Sequence, residues 1–294
     1  MAEKLKVLFV LNPISGARSR RDVAGLIQEH VFPEGVETEV VYTEFAGHAT
    51  NLARQGAREG FQVVAAVGGD GTVNEVARGL LGTDKALAII PRGSGNGLAR
   101  HLGIPLSVRR ALGVLGQYHL SRIDSGSING HPFFCTAGLG FDAHISSVFA
   151  TSKKRGFRSY VELVLREFQT FEPTPFTISW EGQKLEEECF VLAFANAAQY
   201  GSNAFIAPNA DIRDGLLDLC LIPRLSLQSA LEISIRLMTK QMASSSQAAY
   251  YTAKSIHVTS DSAVKYHVDG EYVGEANEFN IQVLPSSLNV LIPN

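Results

Sequence analysis

The residues with the most evident chemistry in this chain follow a short apolar run, Val63–Val67. Residues 68–72 come directly after it and read Gly-Gly-Asp-Gly-Thr. Glycines allow backbone N–H groups to approach a ligand closely, because no Cβ stands in the way. Apolar residues then recur at helical spacing, so the free N–H groups of a first helical turn face the same loop. The pattern predicts a site for an anion such as phosphate, and a glycine-rich turn without a ligand is the alternative.

Loop 68–72 is not one of the common nucleotide-binding fingerprints, since the chain contains neither GxGxxG nor GxxxxGK. It resembles instead the GGDGT signature of the diacylglycerol kinase catalytic family. That family includes sphingosine kinases, ceramide kinases and bacterial soluble lipid kinases. NAD kinases and phosphofructokinases share a related loop, so a NAD kinase is the first alternative to a lipid kinase.

A second glycine-rich loop, residues 91–97 (PRGSGNG), follows another apolar run, Leu87–Ile90. It resembles the GTxND motif of bacterial lipid kinases and, more closely, the GSGN motif of sphingosine kinases. Residues 12–16 (NPISG) end the first predicted strand and resemble the family's NPxSG motif beside the nucleotide, with a plain turn as the alternative. The residues that the resemblance assigns to nucleotide binding are Asn12, Thr43, Gly68, Gly69, Asp70, Gly71, Thr72, Asn74, Glu75, Gly93, Ser94, Gly95 and Asn96.

A third motif, residues 207–222 (APNADIRDGLLDLCLI), resembles the family's PxAxxxDGLLD segment. In the family this segment binds a structural magnesium ion through an Asp carboxylate and nearby backbone carbonyls. The resemblance therefore implies a metal site at Asp214, with Asp211 and Leu216 as sources of carbonyl oxygens. Such oxygen ligands suit a hard cation. The alternative is a β-turn whose carboxylates are merely solvated.

A fourth motif, Asp269-Gly270-Glu271, matches the DGE motif that the family assigns to its general base. Alone it is only a turn sequence, but it follows the other three motifs in family order. The resemblance implies that Glu271 accepts the proton of the lipid hydroxyl and that Asp269 is its electrostatic or metal-linked partner, although these roles could be reversed. Asp70 completes the catalytic set by holding the catalytic Mg²⁺ or its water shell. Residues 138–143 (GLGFDA) resemble the GxGxDA segment, but Cys135 stands where the family often has Asn.

The elements that position these motifs change in character along the chain. Strand, loop and helix alternate four times up to the second glycine loop, which predicts a parallel α/β sheet with ligand loops at the carboxyl ends of its strands. Later strands alternate apolar and polar residues, which predicts that Phe176, Ile178 and Trp180 face inward, and Asn129-Gly130 is a tight-turn signal. We therefore expect an α/β N-terminal domain with a parallel, Rossmann-like sheet, similar to NAD kinases and phosphofructokinases, and a mainly antiparallel β-sandwich C-terminal domain.

The predicted boundary assigns residues 1–124 to a nucleotide-binding kinase domain and residues 125–284 to a β-rich lipid-substrate domain. The tail, residues 285–294, is a candidate to return to the first domain. A base on one domain and a nucleotide on the other imply a cleft that closes. Helical spacing of aromatic residues over 157–171, after basic residues 153–155, fits either core packing, which we favour, or contact with anionic membrane.

Composition limits the expected partners and the expected cellular location. The formal net charge is −3 without a long basic block, so nucleic acid is not an expected partner. Three widely separated cysteines and no CxxC favour a reducing compartment and argue against a disulfide framework or a zinc site. No apolar run approaches the ~18 residues of a membrane span. We expect a cytoplasmic protein that associates transiently with the membrane surface.

The sequence thus predicts an ATP- and Mg²⁺-dependent kinase that phosphorylates the hydroxyl of a lipid, such as diacylglycerol or a sphingosine-like base. Its expected partners are ATP and a lipid substrate at the membrane surface. A NAD kinase-like phosphotransferase and a non-catalytic lipid- or nucleotide-binding protein remain the alternatives. The acceptor lipid, the nucleotide preference and the oligomeric state, including a homodimer, are left open.

Overall fold

The computed structural model describes residues 5–15, 23–151 and 157–294, without the side chains of residues 157–161. The chain forms two compact units. The first contains residues 1–123 and 286–294, and the second contains residues 124–285. The chain therefore enters the second unit once and ends in the first.

The first unit alternates strands and helices. Its elements are β1 (Leu5–Leu11), α1 (Val23–Gln28), β2 (Val36–Tyr42), α2 (His48–Arg58), β3 (Val63–Gly68), α3 (Asp70–Leu80), β4 (Ala86–Pro91), α4 (Gly97–His101) and α5 (Val108–Gln117). The strands pair in parallel in the order β2-β1-β3-β4. Near the end of the chain, Asn289 and Val290 add a further parallel pairing on β4.

The parallel register brings the predicted loops to one edge of this sheet. Leu11 lies beside Val67, and Gly68 lies beside Pro91. Residues of β3 and β4 are all buried, as expected for continuous apolar strands covered on both faces. The segments that follow β1, β3 and β4 consequently leave the sheet next to one another.

The second unit is mainly antiparallel. Its elements, with β5 beginning in the first unit, are β5 (Leu120–Ile128), β6 (His131–Phe133), β7 (Thr136–Gly140), α6 (Phe141–Thr151), α7 (Phe157–Phe168), β8 (Thr174–Trp180), β9 (Gln183–Ala195), β10 (Leu217–Pro223), α8 (Leu227–Thr239), β11 (Ala249–Ala253), β12 (Ser255–Val268) and β13 (Glu271–Leu291). The strands run β11-β10-β9-β7-β12-β13, while β8 pairs with β9 and β12, and β5 pairs with β6 and β13.

Two predicted local features are present in this unit. Asn129 and Gly130 both have positive φ and join β5 to β6, as a two-residue hairpin turn requires. Phe176, Ile178 and Trp180 of β8 all face a buried apolar cluster that also contains Leu192 and Phe279. Alternation of apolar and polar residues therefore gave the correct face of β8.

The described end of α7 and the residues just after it pack on the core. The rings of Phe168 and Phe171 contact those of Phe141 and Phe190. Leu165, by contrast, is 65% exposed. The basic residues 153–155 lie outside the described residues, so membrane contact by this segment stays a prediction. Across residues 5–15, 23–151 and 157–294, every helix is too short or too polar to cross a bilayer.

Candidate active site

Asp70 joins the two glycine-rich loops of the first unit. Its Oδ2 accepts the backbone N–H of Asn96 at 2.8 Å, and its Oδ1 accepts that of Gly97 at 2.6 Å. Gly97 begins α4, where backbone N–H groups have no acceptor within the helix. The Asp70 carboxylate therefore caps α4 while remaining at the start of its own helix, α3.

The glycines of these loops are required by close backbone contact. A Cβ on Gly93 would lie 2.7 Å from the Cα of Gly69, and one on Gly95 would lie 2.7 Å from Oδ2 of Asp70. The Asn96 side chain closes its loop by accepting the Gly93 N–H at 2.9 Å and donating to the Gly93 carbonyl at 2.8 Å. Side chains at 93 and 95 would force the two loops apart.

Asn12 connects the first predicted motif to the GGDGT loop. Its Nδ2 donates to Oγ1 of Thr72 at 3.1 Å, and its Oδ1 accepts the N–H of Ile14 at 3.1 Å. Gly68 leaves room for Thr72, because a Cβ there would lie 2.4 Å from the Thr72 hydroxyl oxygen. Three of the predicted nucleotide segments thus meet at the carboxyl edge of the sheet.

The remaining predicted nucleotide residues have different surroundings. Glu75 accepts the N–H groups of Gly47 at 2.9 Å and Ala49 at 3.0 Å, so its carboxylate holds the start of α2. Thr43 continues the β1–β2 pairing through its N–H to Leu11. Asn74 is buried in α3, Gly71 lies in the first turn of that helix, and Ser94 is exposed. Because the Glu75 carboxylate already caps α2, nucleotide binding would be a second role for this residue.

In the second unit, the DGE motif forms a tight turn between β12 and β13. Asp269 and Gly270 both have positive φ, at 47° and 82°, as a type I′ turn requires. The Asp269 carboxylate accepts backbone N–H groups from Phe134 at 3.0 Å, Cys135 at 2.7 Å and Thr136 at 3.0 Å. Glu271, the next residue after the turn, is exposed. The two acidic residues therefore occupy different environments.

Cys135 contributes to this arrangement through its backbone. Besides donating to Asp269, it uses its carbonyl to accept the N–H groups of Asn196 at 2.9 Å and Ala197 at 3.0 Å. All three hydrogen bonds use backbone atoms of Cys135. They therefore do not depend on whether the side chain at this position is Cys or the Asn that the family often has. The described cysteines are buried and form no disulfide, and burial raises the pKa of Cys189 and of Cys220 to about 12, which keeps these thiols neutral.

The predicted metal segment forms turns around its own acidic residues. Oδ1 of Asp211 accepts the N–H of Arg213 at 3.0 Å, and Oδ1 of Asp214 accepts that of Leu216 at 2.9 Å. Within the described part of the chain, no cluster of three or more His, Cys, Asp or Glu residues has the arrangement of a metal site. The metal assignment of Asp211, Asp214 and Leu216 stays a prediction.

Two further carboxylates lie by this turn and were missed from the sequence. Buried Asp124 accepts the N–H of Gly215 through Oδ2 at 2.8 Å. Burial, and then the charge of Asp214, raise the pKa of Asp218 to about 6. Asp218 could have been found as the last residue of the DGLLD motif, whereas Asp124 lies 91 residues from its partner and has no local signal.

Each half of the chain matches a known domain family. Residues 6–128 match the diacylglycerol kinase catalytic domain, and residues 135–292 match the YegS C-terminal NAD kinase beta sandwich-like domain. A diacylglycerol kinase of Bacillus subtilis is 27% identical over 271 residues, which cover 90% of this chain and 89% of that protein. A probable YegS-like lipid kinase of Chromohalobacter salexigens is 29% identical and covers 93% of this chain and 88% of its own length.

Solved structures show the same architecture. The crystal structure of a Bacillus anthracis protein superposes with a TM-score of 0.82, at 24% identity, and covers all of this chain and 97% of that one. The matched domains define a kinase of two domains, the second a β-sandwich, which confirms that part of the predicted fold. The chain belongs to the diacylglycerol kinase and YegS-like family of lipid kinases.

Proposed function

We propose that this protein transfers the γ-phosphoryl group of ATP to the hydroxyl of a lipid, with diacylglycerol or a sphingosine-like base as the acceptor. The observation that carries the proposal is the junction made by Asp70. One carboxylate fastens two glycine-rich loops together at the carboxyl ends of neighbouring parallel strands, in a chain of the lipid kinase family. This is where open α/β sheets bind nucleotides.

The first unit is the proposed nucleotide-binding domain, with a Rossmann-like sheet as in NAD kinases and phosphofructokinases. Backbone N–H groups of the glycine loops would face the phosphates, since glycines leave them accessible. Phosphoryl transfer depends on positioning and on neutralising the triphosphate charge. The close contact between Gly69 and Gly93 supports this role, because it gives both loops one defined geometry.

The proposed reaction requires Mg²⁺, whose chemical contribution is to neutralise the negative charge of the triphosphate. Asp70 is the residue proposed to hold it or its water shell. Its oxygens already accept two N–H groups, but a carboxylate has about four lone-pair sites and can accept further donors. The donor chemistry of Asp70 therefore fits a hydrated magnesium ion.

A second, structural cation is proposed at the DGLLD turn, with the Asp214 carboxylate and carbonyl oxygens of Asp211 and Leu216 as ligands. The surrounding charge supports this assignment. The raised pKa of Asp218 reflects crowding with Asp214 in addition to burial, and a cation would relieve that crowding. Oxygen donors of this kind suit Mg²⁺ or Ca²⁺.

The proposed general base is Glu271. It is exposed, as a group must be to meet a substrate hydroxyl, whereas the Asp269 carboxylate accepts several backbone N–H groups that fix the turn. We therefore assign Glu271 to proton transfer and Asp269 to positioning. The second unit, residues 124–285, is then the proposed lipid-substrate domain, which the sequence predicted at residues 125–284.

A pocket with both apolar and polar walls in the second unit is the proposed place for part of the lipid acceptor. It has a volume of about 280 Å³, and its apolar walls are formed by Phe168, Phe171, Phe190, Leu225 and Leu227, with Gln169, Glu172 and Arg224 as polar lining residues. Apolar walls combined with polar groups are typical of ligand sites. A lipid of this class is membrane-bound, so the protein would act at a membrane surface from the cytoplasm.

The proposal is tested by incubating the full chain with radiolabelled ATP, Mg²⁺ and detergent-dispersed lipids. Label should enter a chloroform-soluble product, and Glu271→Gln protein should give little of it. NAD is supplied in a parallel reaction. Label that moves only into NADP, or into no product at all, would overturn the proposed lipid kinase activity.

A further inference from the structure

A buried histidine lies directly behind the DGE turn. His267 of β12 is 1% exposed, and its ring contacts groups on two sides. Nδ1 lies 3.3 Å from the backbone nitrogen of Gly270, and Nε2 lies 3.1 Å from Oδ2 of Asp142. Since a backbone N–H can only donate, Nδ1 must be the acceptor. Nε2 then carries the proton and donates it to the Asp142 carboxylate.

Asp142 is itself held in place. Its Oδ2 also accepts the hydroxyl proton of Tyr200 at 3.0 Å, and its Oδ1 accepts the N–H of Ala143 at 2.7 Å. A carboxylate with these donors is a fixed acceptor, so it selects one tautomer of the imidazole. The fixed tautomer presents an unprotonated Nδ1 to Gly270.

The neighbouring strand leaves room for this contact. Gly138 of β7 pairs with His267, and a Cβ on Gly138 would lie 2.3 Å from Oδ2 of Asp142 and 2.7 Å from Nε2 of His267. Only glycine therefore permits the Asp142–His267 hydrogen bond at this position. Gly138 is the first residue of the GLGFDA segment and Asp142 is the fifth. Their close approach gives a physical reason for glycine and aspartate at these two positions.

The strand ladder next to the turn is irregular. Tyr266 pairs with Gly274, but His267 pairs with Tyr272, so one extra residue, Val273, is inserted in β13. Such a bulge disrupts the ladder and redirects the following side chains. The orientation of the turn consequently depends on side-chain hydrogen bonds. The Asp269 carboxylate accepts the N–H groups of residues 134–136, and Nδ1 of His267 accepts that of Gly270.

We propose that His267, as the neutral tautomer with its proton on Nε2, is a positioning residue that orients Glu271 through the Gly270 N–H. The inference rests on the proposed role of Glu271 as the general base. Misplacing a reacting group by about 1 Å can cost about 10² in rate. His267 thus acts on turnover without touching substrate.

Two substitutions separate the two contacts of the ring. In His267→Asn, the amide oxygen replaces Nδ1 as acceptor for Gly270, but the side chain is too short to reach Asp142. In His267→Gln, the amide nitrogen replaces Nε2 as donor to Asp142, and the Gly270 contact is lost. Each variant loses one of the two hydrogen bonds of the ring, and thermal unfolding measures the stability cost of each loss.

We expect His267→Gln to lower kcat by about 10² with an unchanged KM for ATP, and His267→Asn to retain most of the turnover. In a Glu271→Gln background, His267→Gln should cause no further loss, because both changes affect one group. As a control, His144→Asn is too short to keep the contact of Nε2 with Glu167 at 2.9 Å, so it removes another histidine–carboxylate contact and should leave kcat unchanged. Equal losses in the Asn and Gln variants, or additive losses in the double variant, would overturn the proposal.

A structural measurement distinguishes failure of this inference from failure of the proposed kinase activity. Nitrogen-15 NMR of histidine-labelled full-length protein reports the tautomer directly and requires no substrate. The inference requires an unprotonated Nδ1 and a protonated Nε2, together with faster amide exchange at Gly270 in His267→Gln than in His267→Asn. A proton on Nδ1 would overturn the assignment even in an active kinase. Inactive wild-type protein with the expected tautomer would refute the kinase proposal and, with it, the positioning role of His267.

Discussion

Asp70 and Asn96 lie on different loops, and the Asp70 carboxylate accepts the Asn96 N–H at 2.8 Å. This contact spans 26 residues and joins the ends of two neighbouring strands. It gives Asp70 a structural role that is separate from any contact with magnesium. Substitution at this position should therefore affect both folding stability and turnover.

Asp70→Asn replaces one of two accepting oxygens by an NH₂ group, which must then face a backbone N–H. Loss of this cap should lower the free energy of unfolding by about 1 kcal/mol. Loss of the charge should lower kcat by about 10² or more, if that charge stabilises the transition state. Thermal unfolding and steady-state kinetics measure the two effects. Asp84→Asn, at an exposed site of the same unit, is the control. Wild-type turnover in folded Asp70→Asn would remove Asp70 from catalysis.

Gly93→Ala tests the contact between the two loops. The added Cβ would lie 2.7 Å from the Cα of Gly69, so backbone must shift. We expect the Kd for ATP to rise about tenfold, equivalent to about 1.4 kcal/mol. The control is Gly113→Ala in α5, where nothing lies within 4 Å of the added Cβ. This change should stabilise the helix by about 0.5–1 kcal/mol. Calorimetric titration with ATP and thermal unfolding provide the readouts, and unchanged ATP binding in Gly93→Ala would contradict the proposed site.

The two acidic residues of the DGE turn should respond differently to amide substitution. Glu271→Gln is expected to abolish most turnover while ATP affinity and melting temperature stay near those of wild type, because Glu271 is exposed. Asp269→Asn should instead lower the free energy of unfolding by about 1.5–3 kcal/mol, the range for hydrogen bonds to a charged group. Chemical denaturation and single-turnover kinetics separate these effects. Full turnover in both variants would leave the motif as a turn without a catalytic role.

The pH dependence of stability has an identifiable contribution from Glu167. Hydrogen bonds from His144, and then Arg166, hold the pKa of Glu167 below its ordinary value of 4.5. The unfolded chain therefore takes up this proton at a higher pH than the folded protein. The stabilising contribution is complete above about pH 5 and is lost as the pH falls through the folded-state pKa. Melting temperatures measured from neutral to acid pH should decline less steeply in Glu167→Gln, and identical curves would refute the contribution.

Removal of divalent cations tests the proposed site at Asp214. A cation that binds only the folded state stabilises it, so chelator should lower the melting temperature of wild type. Asp214→Ala should lack this response. Asp261→Ala, which changes an exposed carboxylate elsewhere in the second unit, is the control and should respond like wild type. Equal shifts in wild type and Asp214→Ala would leave the site without support.

Local structure followed directly from the sequence. Continuous apolar runs gave β3 and β4, and alternation gave the buried face of β8, since burial on two faces or one leaves a distinct pattern. Asn129-Gly130 and Asp269-Gly270 specified tight turns, because both positions need positive φ. The order of four motifs indicated the lipid kinase family, which the domain matches confirm.

The partners of the acidic side chains were decided by the tertiary structure alone. Asp70 could be recognised as a candidate ligand, but not as the cap of a helix 27 residues away. Asp269 holds backbone groups more than 130 residues distant, and Asp124 reaches Gly215 across 91 residues. His267 carried no motif, although it contacts both Asp142 and the DGE turn. Sequence periodicity fixes backbone conformation over a few residues, whereas these hydrogen bonds depend on which strands the topology makes neighbours.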